Sequence, residues 1–188
     1  MKKILILSGS HRGSGYSNYT MQFLQKQLEK DFIVSTHSVH NQNVKACIGC
    51  DKCKMLKRCI YDDDMTNLYQ EFIDCDIIIF IFPIYFSALP ALLKMVIDRG
   101  QLFFNIPQGD KKRTAYVIAF GGAGEYARQF VNIEITLEHF LRNLKAELLD
   151  TLCYSSTDRL GENLPQSIKF DLEAFAQNVT KNSLNFVL

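Results

Sequence analysis

The chain has 188 residues, 47% hydrophobic and 22% charged, which is mass enough for one globular domain over 1–188 with a single core. Its 21 Lys+Arg balance 20 Asp+Glu, so no basic field favours nucleic acid or an anionic membrane surface, and small molecules are the expected ligands. The longest apolar stretch, Ile77 to Leu93, is interrupted by Pro83, Ser87 and Pro90 and is too short to span a bilayer.

Met1-Lys2-Lys3 leads directly into the apolar run Ile4–Leu7 with no cleavage-type segment. The expectation is a cytoplasmic location, where the six cysteines are thiols or ligands, not disulfides. Ile4–Leu7 reads as a strand. It ends in Ser8-Gly9-Ser10-His11-Arg12-Gly13-Ser14-Gly15-Tyr16-Ser17-Asn18, and a helical pattern follows from Asn18 to Lys30 with Met21, Leu24 and Leu28 on one stripe. Strand, Gly/Ser/Asn turn and helix together present backbone N–H groups to a phosphate at a helix N-terminus; the bland alternative is a solvated turn. No lysine lies between Gly9 and Asn18, which argues against a nucleoside triphosphate, and the third glycine of a dinucleotide fingerprint is missing. A terminal monophosphate fits better.

Phe32 to Val39 reads as a second strand, and His40 to Tyr61 as a long aperiodic loop. Asp62-Asp63-Asp64 then precedes a helix from Met65 to Asp74, where the acids serve as cap and dipole partners in preference to metal ligands. Ile77–Phe82 is apolar on both faces, as a central parallel strand must be. A helix from Leu89 to Arg99, a strand at Ala115–Phe120, an amphipathic helix carrying Phe130 to Leu144, a strand at Glu147–Tyr154 and a helix from Pro165 to Thr180 complete the pattern. Five strands each followed by a helix predict an α/β fold with a parallel sheet and right-handed crossovers.

Ligands of such sheets bind beyond the carboxyl ends of the strands. Three loops lie there: Ser8–Asn18, Pro83–Ser87 and Gly121–Glu125. The glycines of the third let backbone amides approach a flat ring, unless they form a simple turn and Tyr85 and Phe86 are core aromatics.

Gly9-Ser10-x-Arg12 with Ser17-Asn18, the segment Pro83-Ile84-Tyr85-Phe86-Ser87 running on through Asp98-Arg99, and Phe120-Gly121-Gly122 together resemble the NADPH-dependent FMN reductase family, over roughly the first 125 residues. The resemblance implies a flavodoxin-like three-layer sandwich with a five-stranded parallel sheet, with FMN as cofactor and NAD(P)H as electron donor. It implies phosphate binding by Ser10, Arg12, Ser17 and Asn18. The flavin ring would lie between Pro83, Ile84, Tyr85, Phe86 and Ser87 on one side and Gly121, Gly122 and Gly124 on the other. The loop around Ser14-Gly15-Tyr16 is longer than the family pattern.

Such a flavin enzyme needs no acid–base dyad, because the cofactor carries the redox chemistry. No catalytic residue is expected, and His11, His37, His40 and His139 read as surface or packing residues. The expected acceptor is a quinone, a flavin or another small molecule; an electron carrier between proteins and a non-catalytic nucleotide-binding module are the alternatives. The family implies a homodimer, and Leu102-Phe103-Phe104 with Ile106 read as an exposed apolar contact.

Cys47-x2-Cys50-x2-Cys53-x5-Cys59 places four cysteines in one loop beside Lys45, Lys52, Lys54, Lys57 and Arg58. Four sulfurs at such spacing can surround one [4Fe–4S] cluster or one zinc, or stay as cation-stabilised thiols. The motif resembles that of the iron–sulfur flavoprotein branch of the family, and the loop is expected near the flavin end of the sheet. Cys75 and Cys153 read as buried hydrophobes.

Overall fold

The computed structural model describes residues 1–185; the single-domain reading to 188 extends three residues outside that range. Five strands form, β1 (Lys3–Ser8), β2 (Ile33–Ser38), β3 (Ile77–Pro83), β4 (Arg113–Phe120) and β5 (Ala146–Tyr154). They pair in the order β2-β1-β3-β4-β5, all parallel. Around them lie α1 (Tyr16–Leu28), a short α2 (Cys53–Leu56), α3 (Met65–Asp74), α4 (Ala91–Arg99), α5 (Gln101–Asn105), α6 (Val131–Asn143) and α7 (Gln166–Asn185). This is the flavodoxin-like three-layer sandwich.

Strand alternation splits the core in two. Ile4, Ile6, Ile77, Ile79 and Ile81 face α1 and α7, against Leu24, Leu28, Leu172 and Phe175. Leu5, Leu7, Ile78, Phe80 and Phe82 face the other way, against Leu68, Phe72, Leu93, Leu137 and Phe140 of α3, α4 and α6. All six residues from Ile77 to Phe82 are buried, and at about 1.5–3 kcal/mol for each large side chain β3 is the main hydrophobic anchor of the fold.

Several boundaries differ from the sequence reading for local reasons. Helix α4 begins at Ala91 because Pro90 pushes Leu89 out of helical backbone. Strand β4 begins two residues early, at a charged residue. Arg113 is 2% exposed, and its guanidinium donates to the carbonyls of Ile73, Lys111 and Leu144 (2.6, 2.9 and 2.6 Å), closing the C-terminal ends of α3 and α6.

Two expectations about exposure are corrected. Leu102 and Phe103 lie in the core, since α5 folds them under α4 and leaves Phe104 outside. Cys75 is buried as expected, but Cys153, on the edge strand β5, is exposed.

Candidate functional site

The chain leaves β1 towards β2 on one side and β3 on the other, so the crevice between the loops after β1 and β3 is the switch point of the sheet. The loop after β1 is wired internally. Ser8 Oγ donates to Asn18 Oδ1 (2.6 Å), and Asn18 Nδ2 donates to the Arg12 carbonyl (2.7 Å). Ser10 Oγ accepts the Arg12 amide (3.1 Å), and the Gly9 amide bonds the Ile81 carbonyl (2.8 Å). Asn18 is thus a buried strut with one Nδ2 hydrogen still unpartnered among the described residues, whereas the Arg12 side chain is free in solvent.

Gly15 opens α1 at φ 109° without a side-chain cap. Among the described residues no acceptor engages the amides of Tyr16, Ser17 and Asn18, leaving the unpartnered N–H cluster and positive dipole end that suit a phosphate. The Tyr16 ring stacks on Phe120 (5.8 Å between centroids) while its hydroxyl bonds the Gly161 carbonyl. His11 has a role that sequence reasoning missed: its Nε2 accepts the Leu92 amide (3.1 Å) and so caps α4 from the phosphate loop.

The loop after β3 is tied to β4 by the Ile84 amide on the Phe120 carbonyl (2.8 Å). Tyr85 and Ala88 exchange backbone bonds (3.1 and 3.0 Å) around Phe86 and Ser87, whose φ values are 51° and 56°. Positive φ at both tip residues is the geometry of a tight hairpin usually built on glycine, and here it holds Phe86 wholly in solvent. Ser87 Oγ bonds Tyr126 Oη at 2.7 Å, joining this loop to the one after β4. Two glycines of that last loop lie close to side chains of this chain. A Cβ at Gly121 would meet Gln129 Nε2 at 2.6 Å, and one at Gly122 would meet the Asp158 carboxylate, so a side chain at either position would have to displace one of these; a Cβ at Gly124 would make only ordinary contact with Ser156 Oγ (4.0 Å). Beside them opens a groove of about 700 Å³ lined by Tyr126, Arg128, Gln129, Cys153 and Ser155.

Cys47, Cys50, Cys53 and Cys59 line one small, partly open cavity with Tyr69, Arg99 and Leu102. Gly49, Asp51 and Lys57, at φ 63°, 56° and 54°, wind the loop around it. Four thiols on one cavity are a donor set suited to iron–sulfur ligation. The cavity holds only about 30 Å³, roughly one water, and among the described residues no three Cys, His, Asp or Glu side chains converge on a single ion. Cys53 and Cys59 pack against the core while Cys47 and Cys50 are exposed, so it is the outer half of the loop that must move to admit a cluster.

The cation at this cavity comes from elsewhere than the loop. Arg99 forms a bidentate pair with Asp63 (2.7 and 3.0 Å), both side chains 1% exposed. Asp63 also accepts the Lys45 and Met65 amides (2.9 and 3.2 Å). Burial works against the Asp63 charge, but the hydrogen bonds from Arg99 and the two amides outweigh it and hold its pKa below the usual carboxylate range. Of the acidic run, Asp63 alone meets the start of α3, through the Met65 amide, and it anchors Arg99; Asp64, at the N-cap, makes no side-chain cap bond and instead accepts the Asn43 amide (2.7 Å). Position 99 was legible as unusual, because it continues the buried stripe Leu93, Val96, Arg99. Along α4, Leu92 and Leu93 meet His11 and Gly9 of the phosphate loop, whereas Arg99, at the other end, lines the cysteine cavity.

The fold is shared with solved proteins of low sequence identity. One from Streptococcus mutans UA159 superimposes with a TM-score of 0.63 at 20% identity, covering 96% of this chain and 99% of that one. An FMN-dependent NADH-azoreductase from Bacillus anthracis, solved with FMN, gives 0.64 at 13% identity, covering 95% and 99%. In sequence, an iron–sulfur flavoprotein of Methanosarcina thermophila is 30% identical over 122 residues, 64% of each chain. Another, from Methanocaldococcus jannaschii, is 32% identical over 125 residues, 64% of this chain and 62% of that protein. The chain therefore matches just under two thirds of the length of these relatives. The family model of NADPH-dependent FMN reductases spans residues 2–158, a range that includes all three loops at the switch point and the cysteine cavity, and the chain belongs to that family.

Proposed function

We propose that the chain is an FMN-dependent NAD(P)H oxidoreductase that passes electrons to a quinone, a flavin or another small acceptor. The observation that carries this reading is the set of unpartnered amides at Tyr16–Asn18 beside the switch point. There the Ser10 and Ser17 hydroxyls and the solvent-facing Arg12 hold the phosphate, with Asn18 keeping the loop in shape from behind. Pro83–Ser87 and Gly121–Gly124 border the ring, and the Ser87–Tyr126 bond fixes their spacing. Bound FMN supplies acceptance of electrons from the nicotinamide; the chain supplies orientation and access. Phe86, fully exposed at a strained tip, is suited to cover a ring or a second subunit, and we read the assembly as a homodimer. The chain is taken as one domain. Its free cysteines support the reducing cytoplasm; among the described residues no helix is long and apolar enough to cross a membrane.

A second reading, that the cysteine loop carries a [4Fe–4S] cluster and the protein also serves as an electron carrier, is favoured by four thiols on one cavity and by the names of its relatives. Titrating apoprotein with FMN and mixing the complex with NADPH or NADH tests the first reading. Fluorescence quenching at micromolar FMN and rapid flavin bleaching are expected. Absence of binding at that concentration ends it, and a flavin reduced by neither nucleotide but by a low-potential protein donor moves the assignment to the carrier.

A further inference from the structure

We propose that His40 is a positioning residue of the phosphate loop, holding the Arg12–Gly13 peptide so that the Arg12 guanidinium meets the FMN phosphate. This rests on the FMN reading above. Strands β1 and β2 end together, with Ser8 opposite Ser38 in the register, so two buried hydroxyls stand at the base of the loop. Both meet Asn18, whose Oδ1 lies 2.6 Å from Ser8 Oγ and 3.4 Å from Ser38 Oγ. Two residues past Ser38, in the turn Val39–Asn41, the half-buried His40 ring comes back and sets its Nδ1 2.9 Å from the same Ser38 hydroxyl.

Ser38 has one hydroxyl hydrogen and these two neighbours in reach. A hydrogen on His40 Nδ1 donates to Ser38 Oγ and sends the Ser38 hydrogen to Asn18. With Oδ1 held by two hydroxyls, the Asn18 amide is fixed the way round that gives Nδ2 to the Arg12 carbonyl (2.7 Å) and keeps one hydrogen for a ligand. The other edge of the His40 ring closes the circuit one residue further on. A Cβ on Gly13 would meet His40 Nε2, Cε1 and Cδ2 at 2.8, 3.4 and 3.6 Å. Gly13 has no positive φ, so its backbone does not demand glycine, but a side chain there would have to displace the ring that Ser38 holds. Arg12 is thereby fixed on both sides of its side chain: its amide on Ser10 Oγ (3.1 Å), its carbonyl on Asn18, and the next residue against His40. The guanidinium itself is free in solvent. A cation carried on a fixed backbone meets an anion at lower ordering cost than one on a loose loop, and that saving is what His40 contributes.

The test compares FMN with riboflavin, which has the same ring and ribityl chain without the phosphate, by fluorescence quenching on the full-length chain. Wild type should bind FMN more tightly than riboflavin. His40→Ala should lower that preference about tenfold and leave riboflavin affinity unchanged. Ser38→Ala, a smaller change that protects folding, should do the same. In an Arg12→Ala background, His40→Ala should change the preference less than about twofold, because a residue that acts through Arg12 has nothing left to position. A wild-type preference in either single variant overturns the assignment, and so do His40 and Arg12 losses that multiply; His40 is then a packing residue only. Wild type that binds both flavins equally removes the phosphate site, and this role with it.

Discussion

Adding one methyl group at Gly9 tests whether the phosphate loop is held as rigidly as its packing implies. In Gly9→Ala the new Cβ would meet Leu93 Cδ2 at 2.7 Å, Phe82 Cβ at 2.9 Å and Leu93 Cβ at 3.0 Å. Ordinary contact begins near 3.4 Å, so neighbours must yield by about 0.4–0.7 Å. Leu93 and Phe82 are fully buried, and two of the three contacts are to Cβ atoms that no rotamer change can move. Overpacking of this kind costs about 1–3 kcal/mol, and the lower entropy of the unfolded alanine chain returns about 0.4–1 kcal/mol. A net loss of about 1–2 kcal/mol lowers the melting temperature by about 2–8 °C for a chain of this size. The alternative response is for Ser8–Ser10 to move outwards and stretch the Gly9–Ile81 bond, which displaces Ser10 and the amides behind it. FMN affinity, read by fluorescence quenching, should therefore fall about tenfold, or about 1.4 kcal/mol. An alanine variant that melts at or above the wild-type temperature refutes the packing argument, and one that is destabilised yet binds FMN normally refutes the phosphate site.

Arg12→Ala should leave thermal melting unchanged, since its side chain is free, while weakening FMN about 10- to 100-fold through loss of a charge-assisted bond, most strongly at low salt; equal affinity by titration contradicts this. Arg113→Met strands the buried Leu144 carbonyl at about 1–3 kcal/mol and frees the part-buried Ile73 and Lys111 carbonyls to solvent, so chemical denaturation should show a loss of at least about 1 kcal/mol. Burial pushes the Cys75 thiol up to about 12. In the unfolded chain it ionises near 9, so the unfolded state binds fewer protons above that pH, and stability should fall by up to about 1.4 kcal/mol per pH unit between 9 and 12. Denaturation midpoints of wild type and Cys75→Ala across that range check the slope. At pH 8, Cys75 should also resist alkylation until the protein unfolds.

The parallel sheet was readable because its three inner strands are apolar on both faces and its helices carry clean stripes; neither depends on distant residues. The phosphate loop was readable as a type of turn, but not in its roles. Asn18 has the chemistry of a ligand and is also a strut tied to Ser8 and the Arg12 carbonyl, and only three-dimensional wiring reveals that second role. His11 was dismissed for lacking metal or nucleophile spacing, whereas its partner, the Leu92 amide, lies 81 residues away. Gly121 and Gly122 were recognised as small for a reason, and their closeness to Gln129 and Asp158 was not visible in the sequence. At the cysteines the four sulfurs announced themselves by spacing, while their counter-charge did not. The five cations beside them in sequence were the expected partners, and the buried one comes from the end of a helix forty residues further on.

That helix is what makes the two sites one design. The first turn of α4 is fixed to the phosphate loop twice, by the Leu92 amide on His11 and by Leu93 against Gly9. Its last residue is fixed to the cysteine loop through Asp63 and the Lys45 carbonyl. From Leu92 to Arg99 is seven residues, about 10 Å of helical rise, and between them Val96 and Ile97 are buried in the core, so the segment cannot slide without disturbing both ends. A helix held at both ends and along its length behaves as a spacer. The separation of the two sites is then a property of α4, not of the exposed loop that carries the sulfurs. The burial pattern divides accordingly: Cys47 and Cys50 lie on an exposed outer turn, while Arg99 sits on the most buried stripe of the helix.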